Sequence, residues 1–127
     1  MTMTAATGPT SRNQALGAYG ERVAARHLTA LGMVVLDRNW RCPEGELDLV
    51  LRDGCALVVC EVKTRSSVEH GSPHEAVTDD KLERLRRLGE RWVQANGVTP
   101  PETRVDLVAV LRPRSGPALV EHVRGLV

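Results

Sequence analysis

Four charged side chains on two neighbouring segments have the types and spacing of a metal-dependent hydrolytic site. Glu46 and Asp48 alternate with leucines in one segment, and Glu61 and Lys63 alternate with apolar residues in the next. Such alternation predicts strands whose charged residues share one side of a sheet. Clustered carboxylates suit a hard cation such as Mg²⁺, which keeps several waters. A lysine can position one of those waters, and the ion can stabilise charge on a phosphate oxygen, so the pattern indicates phosphodiester hydrolysis.

The turn between the two segments predicts how the charged residues are paired. Asp53-Gly54 is a strong signal for a two-residue hairpin loop. With that loop, Asp48 is expected to lie opposite Val59, and Glu46 opposite Glu61. Like charges that face each other repel, so a cation, a proton or a turned side chain is expected at the second pair.

The alternative is a solvated strand face on which Glu61 pairs with Lys63 or Arg65. The composition favours the chemical interpretation, because 17 residues are basic and only Lys63 and Lys81 among them are lysines. Arginine is a planar fork that stays protonated, whereas lysine is a compact charge whose pKa can be shifted. A lysine in this chain is therefore a candidate for a role that arginine cannot fill.

The flanking segments predict an α/β fold with the order α-β-β-β-α-β-β. Apolar residues at helical spacing predict one helix from Asn13 to Leu31 and a second that starts at a Thr78 cap and ends at Asn96-Gly97. Strands are predicted over Met33 to Trp40, Gly45 to Arg52, Cys55 to Arg65, Arg104 to Leu111 and Leu119 to Val123. With 127 residues there is room for one domain, predicted over 13–127, after a flexible tail over 1–12.

The composition argues against several classes of protein. The net charge of +1 argues against a general charge-driven coat on nucleic acid, although a local basic face remains compatible with it. No segment approaches the length of a membrane span, and the first residues do not have the pattern of a secretory signal. Three cysteines without metal-ligand spacing favour reduced thiols in a cytoplasmic protein.

Several separate motifs resemble a known family. The segments GAYGERVAARHL, RNWRCPEGELDLV, VVCEVKTR, HGSPHEAVTDDK and RVDLV closely resemble the bacterial YraN-like family of inferred endonucleases. More broadly, Asp48 and the later Glu61-Val62-Lys63 resemble the PD-(D/E)xK superfamily, in an arrangement closest to that of archaeal Holliday-junction resolvases. The resemblance extends from about Gly17 to Val123 and implies a restriction-endonuclease-like fold, a central mixed sheet flanked by helices.

The resemblance also implies a role for each residue of the motif. Asp48 and Glu61 would ligate Mg²⁺ or Mn²⁺, with the backbone carbonyl of Val62 as a third protein ligand. Lys63 would position or deprotonate the attacking water. Glu21, on the first helix, would complete the site through a second metal or an outer-shell water.

Further charged residues are candidates for accessory roles. Glu46 is either an accessory acid or a charge that faces solvent. Lys81, in the T-x-x-K element that begins at Thr78, is either solvated or in contact with the active site or a phosphate. Candidates for contacts to a nucleic-acid backbone are Arg65, Arg84, Arg87 and Arg91.

Other conspicuous polar residues are assigned structural roles. Asp106 is expected to pair with Arg104 or Arg41. His70 and His74 lie four residues apart in a segment without helical spacing, which favours a structural or solvent role over metal binding.

These observations lead to two hypotheses of different classes. The first is a cytoplasmic Mg²⁺- or Mn²⁺-dependent endonuclease that acts on DNA, with branched or structured DNA and, less strongly, RNA as candidate substrates. The second is a binding module for nucleic acid or another partner that keeps the nuclease fold without turnover. No membrane association is expected, and a homodimer would suit a two-fold substrate.

Overall fold

The computed structural model describes residues 12–66 and 77–126, which form two helices and five strands in the predicted order. The elements are α1 (Arg12–Ala30), β1 (Val34–Cys42), β2 (Gly45–Asp53), β3 (Ala56–Arg65), α2 (Asp79–Asn96), β4 (Glu102–Leu111) and β5 (Leu119–Val123). The α/β class is thereby confirmed, with strand ends within two residues of those expected. Most of the predicted N-terminal tail, and both His70 and His74, lie outside the described residues.

The five strands form one mixed sheet in the order β1-β2-β3-β4-β5. Neighbouring strands are antiparallel except β3 and β4, which run parallel over ten residue pairs from Ala56↔Glu102 to Arg65↔Leu111. A parallel pair needs a long crossover, and α2 lies in that connection. The predicted central mixed sheet flanked by helices is therefore present.

Both faces of the sheet are buried, one under each helix. The core on the α1 side includes Leu28, Leu49, Leu51, Val58, Cys60 and Val108, and the core on the α2 side includes Leu47, Val50, Leu57, Val59, Leu88 and Trp92. Alternation along the hairpin predicts a single apolar face that carries both Leu47 and Leu49. Leu47 instead packs in the core on the α2 side. That expectation is wrong, because α2 covers the face that carries the acids as well.

The hairpin between β2 and β3 has a different loop from the one predicted. Asp53 pairs with Ala56, so the two loop residues are Gly54 and Cys55. Gly54 has the positive φ of 61°, whereas Asp53 stays in the ladder. The register therefore differs by two from the predicted one, and a shift of two by itself moves no side chain to the other face. Leu47 is on the other face because the alternation of β2 is broken between Leu47 and Leu49.

The helix ends follow the local sequence signals closely. Thr78 caps α2, and its Oγ1 accepts a hydrogen bond from the backbone N–H of Lys81 at 3.2 Å. Gly97 ends α2 in the left-handed conformation with φ 65°. Leu31, expected in the apolar stripe of α1, is 56% exposed because the helix ends at Ala30. Neither helix in the described part of the chain is long and apolar enough to cross a membrane.

Candidate active site

The predicted acids and lysines meet in a cleft of about 390 Å³. It opens at the point where the pairing of β2 with β3 ends, at Leu49↔Cys60. The lining residues are Gly45, Glu46, Asp48, Glu61, Val62, Lys63, Lys81, Arg84 and Leu85. The hairpin supplies the acids, and the first turns of α2 supply Lys81 and Arg84, so the crossover helix completes a site that the strands begin.

Asp48 lies at the centre of the acidic group. Its Oδ2 accepts a hydrogen bond from the backbone N–H of Val62 at 2.9 Å, which joins β2 to β3 beyond the last ladder pair. Burial and the nearby charge of Glu61 raise the pKa of Asp48 to about 7, although the Val62 N–H opposes the rise. A cation beside Asp48 would favour the ionised form of this carboxylate.

Two ammonium groups share one oxygen of Glu61. The Nζ of Lys81 lies 2.6 Å from Glu61 Oε2, and the Nζ of Lys63 lies 3.9 Å from the same atom. The expected pairing of Glu61 with Lys63 is present, but Lys81 is the closer partner. Lys81, which the sequence left between a solvated and an active-site role, therefore belongs to the cleft.

The two lysines shift each other's pKa values in opposite directions. A hydrogen bond with Lys81, then burial and the charge of Lys81, lower the pKa of Lys63. Burial would also lower the pKa of Lys81, but its hydrogen bonds to Glu61 and Lys63 raise it. Lys63 is therefore the lysine of the pair that gives up its proton more easily.

Glu21 belongs to the same acidic group from the α1 side. Burial raises the pKa of Glu21, a hydrogen bond with the Asn39 side chain lowers it, and the charge of Glu46 raises it again. The charge of Glu21 in turn raises the pKa of Asp48. Asn39 was not anticipated from the sequence. Its φ of 51° is a conformation that asparagine tolerates better than most residues, but a lone asparagine gives little signal.

Gly20 allows α1 to approach β3 closely enough to bring Glu21 to this group. A Cβ atom at Gly20 would overlap the side-chain hydroxyl of Thr64, whereas one at Gly17 would meet nothing within 4 Å. Both glycines of the GAYGER segment are small enough to permit a close approach of α1 to the sheet. The structure assigns that function to Gly20 alone.

Glu46 lines the cleft but is turned towards solvent. Its Oε2 accepts a hydrogen bond from Arg41 Nε at 3.1 Å in an exposed ion pair. It does not face Glu61, as the predicted register had placed it. Continued by one pair beyond Leu49↔Cys60, the observed register sets Asp48 beside Glu61 instead.

The donor set of the cleft is compatible with a hard divalent cation held mainly by water. Across residues 12–66 and 77–126, no three His, Cys, Asp or Glu side chains are grouped as a ready-made metal site. Asp48 and Glu61 nevertheless offer adjacent carboxylates, and Mg²⁺ is commonly bound through one or two carboxylates and several waters. The residues thus fit such an ion. The roles of the Val62 carbonyl and of Glu21 as ligands stay predictions.

Three of the four predicted phosphate-binding arginines lie together along α2. Arg84 lines both the acidic cleft and a neighbouring cleft of about 310 Å³, which Arg87 and Arg91 also line. The Nη2 of Arg91 lies 3.1 Å from Glu44 Oε2. Arg65 lies apart, at the end of β3, and its buried Nη1 has no hydrogen-bond partner among the residues described.

Asp106 has the structural role expected of it. It is fully buried, and Arg104 Nε donates to its Oδ1 at 2.9 Å. The backbone N–H of Gly125 donates to the same oxygen, and His122 Nε2 lies 2.8 Å from Oδ2. This confirms Arg104 as the partner of Asp106.

Comparison with known proteins assigns the chain to a family. The model of "Uncharacterised protein family UPF0102" matches residues 20–110. A UPF0102 protein of Nocardioides sp. is 66% identical over 113 residues, which cover 89% of this chain and 91% of the relative. A UPF0102 protein of Streptomyces coelicolor is 59% identical over 114 residues, 88% of each chain. The chain therefore belongs to the UPF0102 family, in agreement with the predicted YraN-like membership.

Proposed function

We propose that this protein is a metal-dependent endonuclease that hydrolyses phosphodiester bonds in DNA. The observation that carries the proposal is the convergence of Asp48, Glu61 and Lys63 in one cleft, with Lys81 as a second lysine. This is the arrangement implied by the resemblance to the PD-(D/E)xK superfamily and its Holliday-junction resolvases. Branched or otherwise structured DNA is the substrate we favour. An endonuclease that acts on cellular DNA would agree with the expected cytoplasmic location.

The residues of the cleft divide the chemistry among them. Asp48 and Glu61, with the Val62 carbonyl, would hold Mg²⁺ or Mn²⁺. The bound ion would supply Lewis-acid stabilisation of charge on a phosphate oxygen. Lys63 has a lowered pKa, which suits it to accept a proton from the attacking water. The water oxygen then bonds to phosphorus, the bond to the leaving sugar oxygen breaks, and that oxygen takes a proton from solvent.

The basic residues on α2 are suited to position the substrate. Arg84 lies in the acidic cleft, and Arg87 and Arg91 continue along the neighbouring one. Guanidinium groups bind phosphate oxygens in a bidentate manner, which fixes the position of a backbone without reading its sequence. Arg65, with its unpartnered Nη1, is a further candidate.

A non-catalytic binding module is the second candidate function. Lys81 already contacts Glu61 at 2.6 Å, so part of the negative charge in the cleft is balanced without a metal. A module of this kind would use the same basic residues to bind nucleic acid but would not hydrolyse it.

A cleavage panel with the full-length chain separates the two candidates. Supercoiled, single-stranded, flap and four-way-junction DNA, with matching RNA, would be incubated with Mg²⁺ or Mn²⁺. We expect cleavage by the unchanged protein and by Glu102→Gln, an exposed acid on β4 that serves as the control. Asp48→Asn and Lys63→Arg should each lose about 100-fold or more.

Calorimetric titration with Mn²⁺ provides the second measurement. The nuclease should bind Mn²⁺ and lose that binding in Asp48→Asn. Absence of cleavage on every substrate, together with a Mn²⁺ signal that Asp48→Asn leaves unchanged, would reject the nuclease and favour the binding module.

A further inference from the structure

A second basic cleft lies on the α1 side of the molecule, away from the arginines of α2. It has a volume of about 230 Å³ and is lined by Arg22, Ala25, Arg26 and Thr29 of α1 and by Arg38 of β1. All three arginines are exposed. Within residues 12–66 and 77–126, none of the three guanidinium groups forms an ion pair with a carboxylate.

The unpaired state of these arginines contrasts with that of others in the protein. Arg41, Arg86 and Arg104 each pair with an acid within 3.1 Å. Arg22 and Arg26, by contrast, are four residues apart on one helical face, where like charges repel. Arg38 adds a third positive charge to the same cleft. A bound anion would relieve this repulsion, and the planar fork of arginine matches the oxygens of a phosphate.

Glu21 links the α1 cleft to the acidic group through its charge. Arg22 directly follows Glu21, and the charge of Arg38 acts on Glu21. The charge of Glu21 acts in turn on Asp48. Since α1 and α2 cover opposite faces of the sheet, an arginine-lined cleft lies beside each helix.

We propose that the cleft formed by Arg22, Arg26 and Arg38 binds a backbone phosphate of the nucleic acid whose scissile bond lies in the acidic cleft. The identity of this ligand rests on the proposed function. A nucleic acid is favoured over an acidic protein because the cleft offers three forked donors and is linked through the charge of Glu21 to the site proposed for phosphodiester chemistry. The Thr29 hydroxyl already donates to the Arg26 carbonyl at 3.0 Å, so the arginines are the donors that remain.

Salt-dependent binding of duplex DNA tests this proposal. The affinity of a labelled duplex would be measured by fluorescence anisotropy in EDTA, over a range of salt concentrations. The variant is Arg22→Gln with Arg26→Gln. The control is Arg52→Gln with Arg114→Gln, which removes the same amount of positive charge from exposed positions. Neither residue lines the acidic cleft, the arginine cleft of α2 or the α1 cleft.

The proposal predicts a difference between the two double variants. Loss of two phosphate contacts should weaken binding about 10-fold or more at 0.1 M salt and reduce the slope of log K against log salt by about 1 to 2. The control should weaken binding less than about 3-fold. Equal changes in both double variants would show a mere effect of net charge, and no change in the first would show that the cleft binds no backbone. Either result overturns the proposal.

The readout separates this proposal from the proposed function. Binding in EDTA requires no turnover. A protein that binds DNA through these arginines but never cleaves it would reject the proposed nuclease activity and leave the α1 site supported. A protein that cleaves DNA, but whose slope of log K against log salt does not depend on Arg22 and Arg26, would reject the α1 site and leave the nuclease activity supported.

Discussion

At the scale of single residues, the cleft brings together charges that repel as well as charges that attract. Burial and the charge of Glu61 oppose the ionisation of Asp48 and raise its pKa, while Lys81 lies 2.6 Å from Glu61 and balances its charge. Two adjacent carboxylates lower the stability of the folded protein when both are ionised, and a cation bound between them would offset this repulsion. Functional sites commonly carry such perturbed groups, because the same charges that destabilise the fold bind the ligand.

Asp48→Asn should therefore stabilise the protein at high pH. Because the folded pKa of Asp48 is raised to about 7, its contribution to stability is present at acid pH and is lost as the pH rises through 7. Asparagine keeps an oxygen for the Val62 N–H and carries no charge. We expect a gain of about 2 kcal/mol at pH 8, or several degrees in Tm, and almost none near pH 4.

Thermal unfolding at both pH values measures this gain. Glu102→Gln, an exposed acid, is the matched control and should change little at either pH. An Asp48→Asn variant that is less stable than the parent at pH 8 would show that the ionised Asp48 carboxylate does not destabilise the folded protein.

Lys81→Met should tighten the binding of Mn²⁺. Lys81 is a positive charge 2.6 Å from the Glu61 oxygen that a cation would use, and methionine keeps much of the side-chain volume without the charge. We expect Mn²⁺ affinity to rise at least about 3-fold by calorimetry, from removal of a competing charge in a partly buried cleft. Lys63→Met, whose Nζ is 3.9 Å away, should have a smaller effect. A weaker affinity in Lys81→Met would mean that Lys81 supports the cation instead of competing with it.

At the scale of elements, the position of the acids depends on a close contact between α1 and β3. Gly20→Ala should destabilise the protein by about 2 to 4 kcal/mol, because the added methyl group would overlap Thr64 and push α1 away from the strand. Gly17→Ala is the control, since its methyl group meets nothing within 4 Å and alanine favours a helix. Urea unfolding measures both. Equal stability of the two variants would show that α1 can shift at little cost.

The hairpin shows how far local sequence signals reach. Alternation predicted that Glu46, Asp48, Glu61 and Lys63 lie together, and all four line one cleft, although the alternation of β2 is broken between Leu47 and Leu49. It did not place Asp48 next to Glu61, because the choice of loop depends on which residue adopts a positive φ. Asp53 stays in the ladder, where its Oδ2 accepts from Arg104 and Arg124, and such tertiary contacts cannot be read from the turn sequence.

At the scale of the whole molecule, the site needs contributions from distant parts of the chain. Glu21 and Asn39 reach it from α1 and β1, and Lys81 reaches it from α2. Periodicity and capping signals predicted these elements and the start of α2 at Thr78, and the family resemblance added Lys81 through the T-x-x-K element. The pairing of Lys81 with Glu61 follows from how the crossover helix lies on the sheet, which no local pattern specifies. The sequence therefore does not predict which side chains on different elements pair with each other.

The Asp106 network should govern how the fold responds to acid. Burial alone would raise the pKa of Asp106, but hydrogen bonds with Arg104, the Gly125 N–H and His122 lower it below its usual range. A lowered folded pKa gives stability that is present above the unfolded pKa, near 4, and is lost as the pH falls through the folded value. Asp106→Asn should cost about 2 to 3 kcal/mol at pH 7, because it removes the charged acceptor of the half-buried Arg104, which then keeps only Asp53 as its acid partner among the described residues.

Chemical unfolding of the parent and Asp106→Asn at pH 7 and at pH 3 checks this expectation. The difference between the two proteins should narrow at pH 3, since Asp106 of the unfolded parent then binds a proton that the folded state binds less readily, and part of the stabilisation is lost. This acid dependence opposes that of Asp48, whose strain is relieved as the pH falls. A double variant, Asp48→Asn with Asp106→Asn, separates the two. Loss of stability at pH 7 in Asp106→Asn that stays undiminished at pH 3 would assign its effect to packing instead of charge.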